Sequence, residues 1–293
     1  MVFQNRLEWR SNKGVKSDVI MNGKLTDVHV HLDFYLLEQM GKVLRRADEA
    51  GVRWIVTSGW GIPSAQRGVE IATQNERVLA AVGIHPWVAA EDFPEDFHEE
   101  LHRLTQDPVT VAIGEVGIDF VDNIFTGVTY HDNPQLREAQ EHAFRKQIAL
   151  ACEVSLPLIT HCRGAYESFI PILKEERADR VGGAVHNFEA DLKTARQLLD
   201  MGFLLSFGGT ITYPDETALR EVVRQIPLDG ILLETDSPYM PLYQQTTDQN
   251  EPAHVAEVAS TLAEIKGIDV GELIDSVYTN FTDLLKIQDE NAT

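Results

Sequence analysis

The chain has 293 residues, 43% of them hydrophobic, which is enough to bury a large core as two domains or one large α/β barrel. Acidic residues outnumber basic ones 46 to 25, and the net charge of −21 counts against a nucleic-acid coat protein or a protein drawn to anionic lipid. Two cysteines, Cys152 and Cys162, suit a reducing compartment better than a disulfide framework. With no signal-peptide pattern and no apolar run of membrane-spanning length, a cytoplasmic protein that spans no membrane is expected.

Residues 1–24 are polar and lack a clear period, and they read as an N-terminal extension. From Leu25 onward, short β-branched runs alternate with segments of helical spacing. The strand-like runs are 25–31, 52–58, 78–84, 109–115, 156–161, 181–186, 202–207 and 229–235. Helical spacing covers 35–50, 63–76, 94–105, 135–154, 165–178, 190–201, 215–226 and 251–266, with a last helix over 270–287. In 135–154, Leu136, Ala139, Ala143, Phe144, Ile148 and Ala151 mark one apolar face. The acidic stretch 91–100 reads as a solvated loop and helix start.

Eight β–α units in about 260 residues match the size of a TIM (β/α)8 barrel. Strands rich in Val, Ile and Leu, flanked by helices, imply a parallel sheet buried on both faces. The fold class is α/β, with an open doubly wound sheet as the structural alternative. Nothing divides 25–287 into two domains, and 288–293 reads as a tail.

The chemistry gathers at strand ends. In TDVHVHLD, 26–33, His29 and His31 are two apart, and alternate side chains of a strand share a face. Glu115 lies in GEVGID, His161 in LPLITHCR, His186 in AVHNF and Asp236 in LLETDSPY, each at or just beyond a strand end. In a parallel barrel these ends form one rim, where the active site is built. Six candidate ligands from five strands exceed what one catalytic zinc needs. Two divalent ions bridged by Glu115 use all six, and such pairs clamp the attacking and leaving oxygens. The donor set admits Zn, Mn, Co or Ni, and Mg with more water.

These segments resemble the TatD family of metal-dependent hydrolases and DNases, within the amidohydrolase superfamily. The resemblance covers essentially 25–287 and also includes VGIHPW (82–87), SFGGTIT (206–212) and NEPAHV (250–255). It implies a barrel, a one- or two-metal centre, and hydrolysis of phosphodiesters in DNA. It carries metal binding onto His29, His31, Glu115, His161, His186 and Asp236. No lysine stands at the end of the fourth strand, which favours this branch over those that bridge their metals with a carboxylated lysine. In the expected mechanism a metal-activated water attacks phosphorus, and Asp236 orients it and accepts its proton. Arg163, two residues past His161, is expected to fork a phosphate oxygen, and His85 to donate to the substrate or leaving oxygen.

The chain departs from the family pattern at Asp248-Gln249, where basic residues are usual, at Glu189 after His186, and in a long, weakly basic loop, 121–133. These departures weaken the case for a long DNA substrate. A hydrolase of a small phosphoester, or of another ester or amide, is therefore the alternative, and a metal-binding scaffold without catalysis is a second. No obligate protein partner is expected. HEELH, 98–102, matches a zinc-protease pattern but falls on an expected outer helix, and Cys162 alternates away from His161 toward packing. His131, His142 and His254 are expected on the surface.

Overall fold

The computed structural model describes residues 23–288, apart from 92, 94–95, 123–126, 131 and 246–248. Most of the expected N-terminal extension, residues 289–293 of the tail, His131 and Asp248 lie outside them. Eight strands form one parallel sheet in chain order: β1 (Leu25–Val30), β2 (Val52–Ser58), β3 (Val78–Val82), β4 (Thr110–Asp119), β5 (Leu158–Arg163), β6 (Gly183–Val185), β7 (Phe203–Phe207) and β8 (Ile231–Leu233).

The seam between β8 and β1 is closed by the segment just past β8. The Asp236 N–H donates to the His29 carbonyl at 3.0 Å, and the His31 N–H to the Ser237 carbonyl at 2.8 Å. Deeper in the seam, the buried Asp27 carboxylate accepts the Thr235 N–H at 3.0 Å and its hydroxyl at 2.6 Å. The sheet thus becomes a (β/α)8 barrel whose first and last strands are joined mainly by polar contacts.

The helices are α1 (Leu37–Glu49), α2 (Ile62–Thr73), α3 (Pro86–Glu91), α4 (Phe97–Leu104), α5 (Pro134–Val154), α6 (Tyr166–Glu175), α7 (Leu192–Leu199), α8 (Thr217–Gln225), α9 (Val255–Lys266) and α10 (Val270–Leu285). Their limits follow local chemistry. Asn133 accepts from the Leu136 N–H and Pro134 opens the first turn of α5, which Ser155 ends in the left-handed region. Asp191 and Asp269 cap α7 and α10 in the same way. Gly267 stops α9 at φ +68.

The main core fills the space between strands and helices. A second apolar cluster joins Val56, Ala81, Ala112, Ile159, Ala184 and Leu232 to Phe281 and Leu285 of α10. Ile159 and Ala184 share strand parity with His161 and His186, so they pack beneath the polar rim. No helix among the described residues is long and apolar enough to cross a membrane.

Two features differ from the sequence expectation. Strand β4 continues through Asp119 rather than ending at Glu115, because its pairing with β5 shifts register between Gly114 and Val116 and then resumes. A bulge of this kind re-aims a side chain without ending a strand. The short helix α3, which starts at Pro86, falls between the expected strand 78–84 and the expected helix 94–105, in a stretch to which no helix is assigned from sequence.

Candidate metal centre

The six expected ligands come together around Glu115. Its Oε2 stands 3.4 Å from His29 Nε2 and 3.4 Å from His31 Nε2. Asp236 Oδ1 lies 3.5 and 3.4 Å from the same two nitrogens, which are 3.2 Å apart. Metal–ligand bonds of 2.0–2.1 Å in a tetrahedron place ligand atoms about 3.3–3.4 Å apart. Five of the six edges of that tetrahedron therefore already have the right length. The other oxygen, Oε1, stands 2.8 Å from His161 Nδ1 and 2.9 Å from His186 Nε2, which are 3.0 Å apart. That spacing suits right-angled coordination, about 2.9 Å for the same bond length. One carboxylate thus faces two ligand groups, one with each oxygen.

The fit to cations rests on unsatisfied atoms. Glu115 Oε2 is buried and has no hydrogen-bond donor. The ring nitrogens facing it are lone pairs whenever their rings are neutral, and the opposite nitrogens of most of these rings are engaged. His31 Nδ1 meets the Ser58 carbonyl at 3.1 Å, which can only accept, so that nitrogen carries the hydrogen. His29 Nδ1 meets Ser58 Oγ at 3.0 Å, and His161 Nε2 meets Asp119 Oδ2 at 3.1 Å. His186 Nδ1 faces Glu234 Oε1 at 3.5 Å, too long for a good hydrogen bond. Outer partners of this kind fix the tautomer that a metal requires.

Electrostatics agree. Burial and the neighbouring His186 ring oppose a proton on His29, but Glu115 and Asp236 outweigh them and hold it up at about 9. Burial alone would raise Glu115, yet the imidazoles of His85, His186, His29 and His161 hold it well below the usual carboxylate range. Asp236 is likewise depressed against its burial by His29 and His31. The cluster attracts positive charge, and protons or metal ions can supply it.

The local backbone delivers these groups. Asp236 sits at φ +54, a left-handed conformation that Asp tolerates better than most residues. Gly117, at φ +151, lets β4 pass close to β5: a Cβ there would lie 1.9 Å from the His161 carbonyl oxygen. Most of the cluster is sealed, with the Asp236 and His161 side chains 14% and 13% exposed. Access is therefore from their side.

His85 follows β3 and is buried, its Nε2 3.5 Å from Glu115 Oε1. Its Nδ1 accepts the Trp87 backbone N–H at 3.1 Å, so its Nε2 carries the hydrogen when the ring is neutral. Burial pushes it down to about 4 and keeps it neutral. It therefore turns a donor, not a lone pair, toward the centre. Arg163 ends β5, exposed and opposite Asp119 in register. Its charge lowers the nearby Glu189 carboxyl, which burial raises above its ordinary value.

The His98–His102 pair lies on α4, where His98 Nε2 meets Glu153 Oε2 at 2.8 Å. Glu153 is near the end of α5, just before β5 begins, so this pair belongs to the opposite end of the barrel. Cys162 is buried in the core. Sequence reasoning does not single out Asp119 and Ser58, which engage the ring nitrogens, or Glu234, which stands beside His186 Nδ1. For Asp119 a signal was present, since 115, 117 and 119 share one strand face.

A family model described as TatD related DNase matches residues 26–286. An uncharacterized metal-dependent hydrolase, YabD of Bacillus subtilis strain 168, is 36% identical over 90% of this chain and 99% of its own length. The 3'-5' ssDNA/RNA exonuclease TatD of Erwinia tasmaniensis is 34% identical over 82% of this chain and 90% of its own. The crystal structure of YjjV, a TatD homolog from Escherichia coli K12, superposes with a TM-score of 0.83 at 29% identity, covering 92% of this chain and all of that one. With a matching model across nearly the whole barrel, the chain belongs to the TatD family of metal-dependent hydrolases.

Proposed function

We propose that the chain is a deoxyribonuclease that hydrolyses phosphodiester bonds with two divalent ions. The observation that carries this reading is the single carboxylate, Glu115, facing two ligand groups with its two oxygens. His29, His31, Asp236 and Glu115 would hold one ion, and Glu115, His161 and His186 the other. Zn, Mn, Mg, Co and Ni are the candidates. Bound there, such ions polarise a phosphoryl oxygen and ease deprotonation of water. The protein's own groups do the rest. Asp236, held anionic and partly open to solvent, orients the attacking water and takes its proton. His85 donates its Nε2–H to an oxygen that gains charge. Arg163 neutralises a non-bridging phosphate oxygen. The exonuclease relative at 34% identity supports a nucleic-acid substrate.

One observation favours a smaller phosphoester. Glu189 shares the rim with Arg163, and the chain carries −21 overall. A long duplex would meet repulsion along that face.

The test is degradation of single- and double-stranded DNA, beside a phosphoester panel, after metal removal and reloading with each ion. Metal-dependent DNA cleavage is the expected result. Turnover of small esters alone would favour the second reading, and bound metal with no turnover would sink both. Asp236→Asn should lower kcat by about 100-fold or more, with metal content measured alongside. Full activity with metals bound would remove the proposed base.

A further inference from the structure

Six large apolar side chains are strongly exposed among the described residues: Phe34, Leu36, Leu37, Val121, Tyr239 and Tyr243. All six follow the C-terminal ends of β1, β4 or β8, on the rim that carries the metal centre. Exposed apolar surface gathered at one place marks a contact site.

Two of these rings border the centre itself. Phe34 is 41% exposed and Tyr239 44%. Their centroids are 5.7 Å apart, and they meet the His31 ring edge-on at 5.7 and 6.2 Å. Trp60 supports Phe34 from behind at 5.4 Å and stacks on His85 at 4.8 Å and 19°. The two rings are thus braced from inside and open outward. Among the described residues, acidic groups offset the positive charge on the same rim. The Arg163 side chain enters no hydrogen bond or ion pair among the described residues, while Asp33 and Glu189 add negative charge. A nucleic acid held here would gain little from its phosphates. What this surface offers is π faces next to the reacting centre.

We propose that Phe34 and Tyr239 form a stacking subsite for the unpaired nucleobase flanking the scissile phosphate. Stacking on this pair replaces much of the phosphate contact on which nucleic-acid binders ordinarily depend. The inference rests on the phosphodiesterase reading for the position of that phosphate. An unpaired base is required, because bases inside a duplex have both faces covered. Two properties follow. Binding depends on the presence of a base, and it varies little with salt: one neutralised phosphate on a single strand gives a log–log slope of about −0.7.

The test uses the full-length, metal-containing protein and a phosphorothioate-linked single-stranded oligonucleotide with 2-aminopurine at its end, which resists cleavage and loses fluorescence on stacking. Quenching on binding is expected. An abasic oligonucleotide should bind about tenfold more weakly or worse. Phe34→Leu and Tyr239→Leu keep an apolar side chain but remove the ring. Each should lose the quenching and about tenfold in affinity, with thermal stability and metal content unchanged. The proposal is overturned by an absence of quenching, by unchanged binding in both variants, by equal affinity for the abasic strand, or by a slope steeper than about −3. Cleavage of unmodified DNA is followed in parallel. Stacking without cleavage would fail the phosphodiesterase reading and leave the subsite standing. Cleavage with equal kcat/KM for base-bearing and abasic strands would fail the subsite alone.

Discussion

A histidine's role at this centre is set by which of its nitrogens is free, and that is decided by the outer partner. The Ser58 carbonyl forces a hydrogen onto His31 Nδ1, leaving Nε2 to face Glu115. The Trp87 backbone N–H does the reverse for His85. The two rings look equivalent by distance, yet only one can give a lone pair to a cation. His85→Ala is therefore expected to keep its metal, measured by elemental analysis, while kcat falls by about 100-fold. Loss of metal in that variant would show that His85 is a ligand. Asp119 acts through another residue: it holds His161 by Nε2 at 3.1 Å and touches no expected substrate. Asp119→Ala should weaken metal affinity by about 10- to 100-fold in a chelator competition, and excess metal should restore much of the activity. Activity lost with affinity intact would count against the positioning role.

Among the elements, the β8–β1 seam bears most directly on the site. Asp27 is buried there, and desolvation raises its carboxyl well above the ordinary value despite the bonds from Thr235. For an acid raised in the folded state, ionisation above its unfolded pKa works against folding. Asp27→Asn keeps an acceptor for the Thr235 N–H and adds a donor for its hydroxyl, without charge. Its melting temperature at neutral pH should equal or exceed that of the parent. Asp27→Ala orphans the Thr235 N–H and should cost about 1–3 kcal/mol in denaturant unfolding. Equal stability of the two variants would mean that the seam bonds contribute nothing.

Much of this level could be read in the sequence, because β-branched runs and helical spacing are local signals. Eight strands stand near their expected places, and Glu115, His161 and His186 meet because parallel strand ends share one rim. The end of β4 could not be read. Its bulge arises from pairing with β5, a contact that leaves no periodic trace. Ser58 and Glu234 escaped for a similar reason: each is an ordinary polar residue until the fold sets it beside a ring nitrogen.

At the scale of the whole molecule, proton and metal compete for one nest of charge. His29 is raised from 6.5 to about 9 in the metal-free protein. Stability from that proton is fully present below 6.5 and is lost as the pH rises through 9. Glu115 and Asp236 are depressed, so their contribution is present above the ordinary carboxylate range and lost as the pH falls. The chelated protein should therefore lose thermal stability between about pH 6.5 and 9. Metal releases the protons and takes their place, so the loaded protein should lose less across the same window. Parallel melting curves with and without chelator read the difference, and identical pH profiles would contradict it.

The seam also sets a time of assembly. His29 is made well before the segment carrying Asp236, whose N–H bonds to the His29 carbonyl. Domains emerge from the ribosome N-terminus first. Until β8 docks, the growing chain presents His29, His31 and Glu115 without the Asp236 carboxylate beside them. The complete donor set is thus assembled only once the barrel has closed.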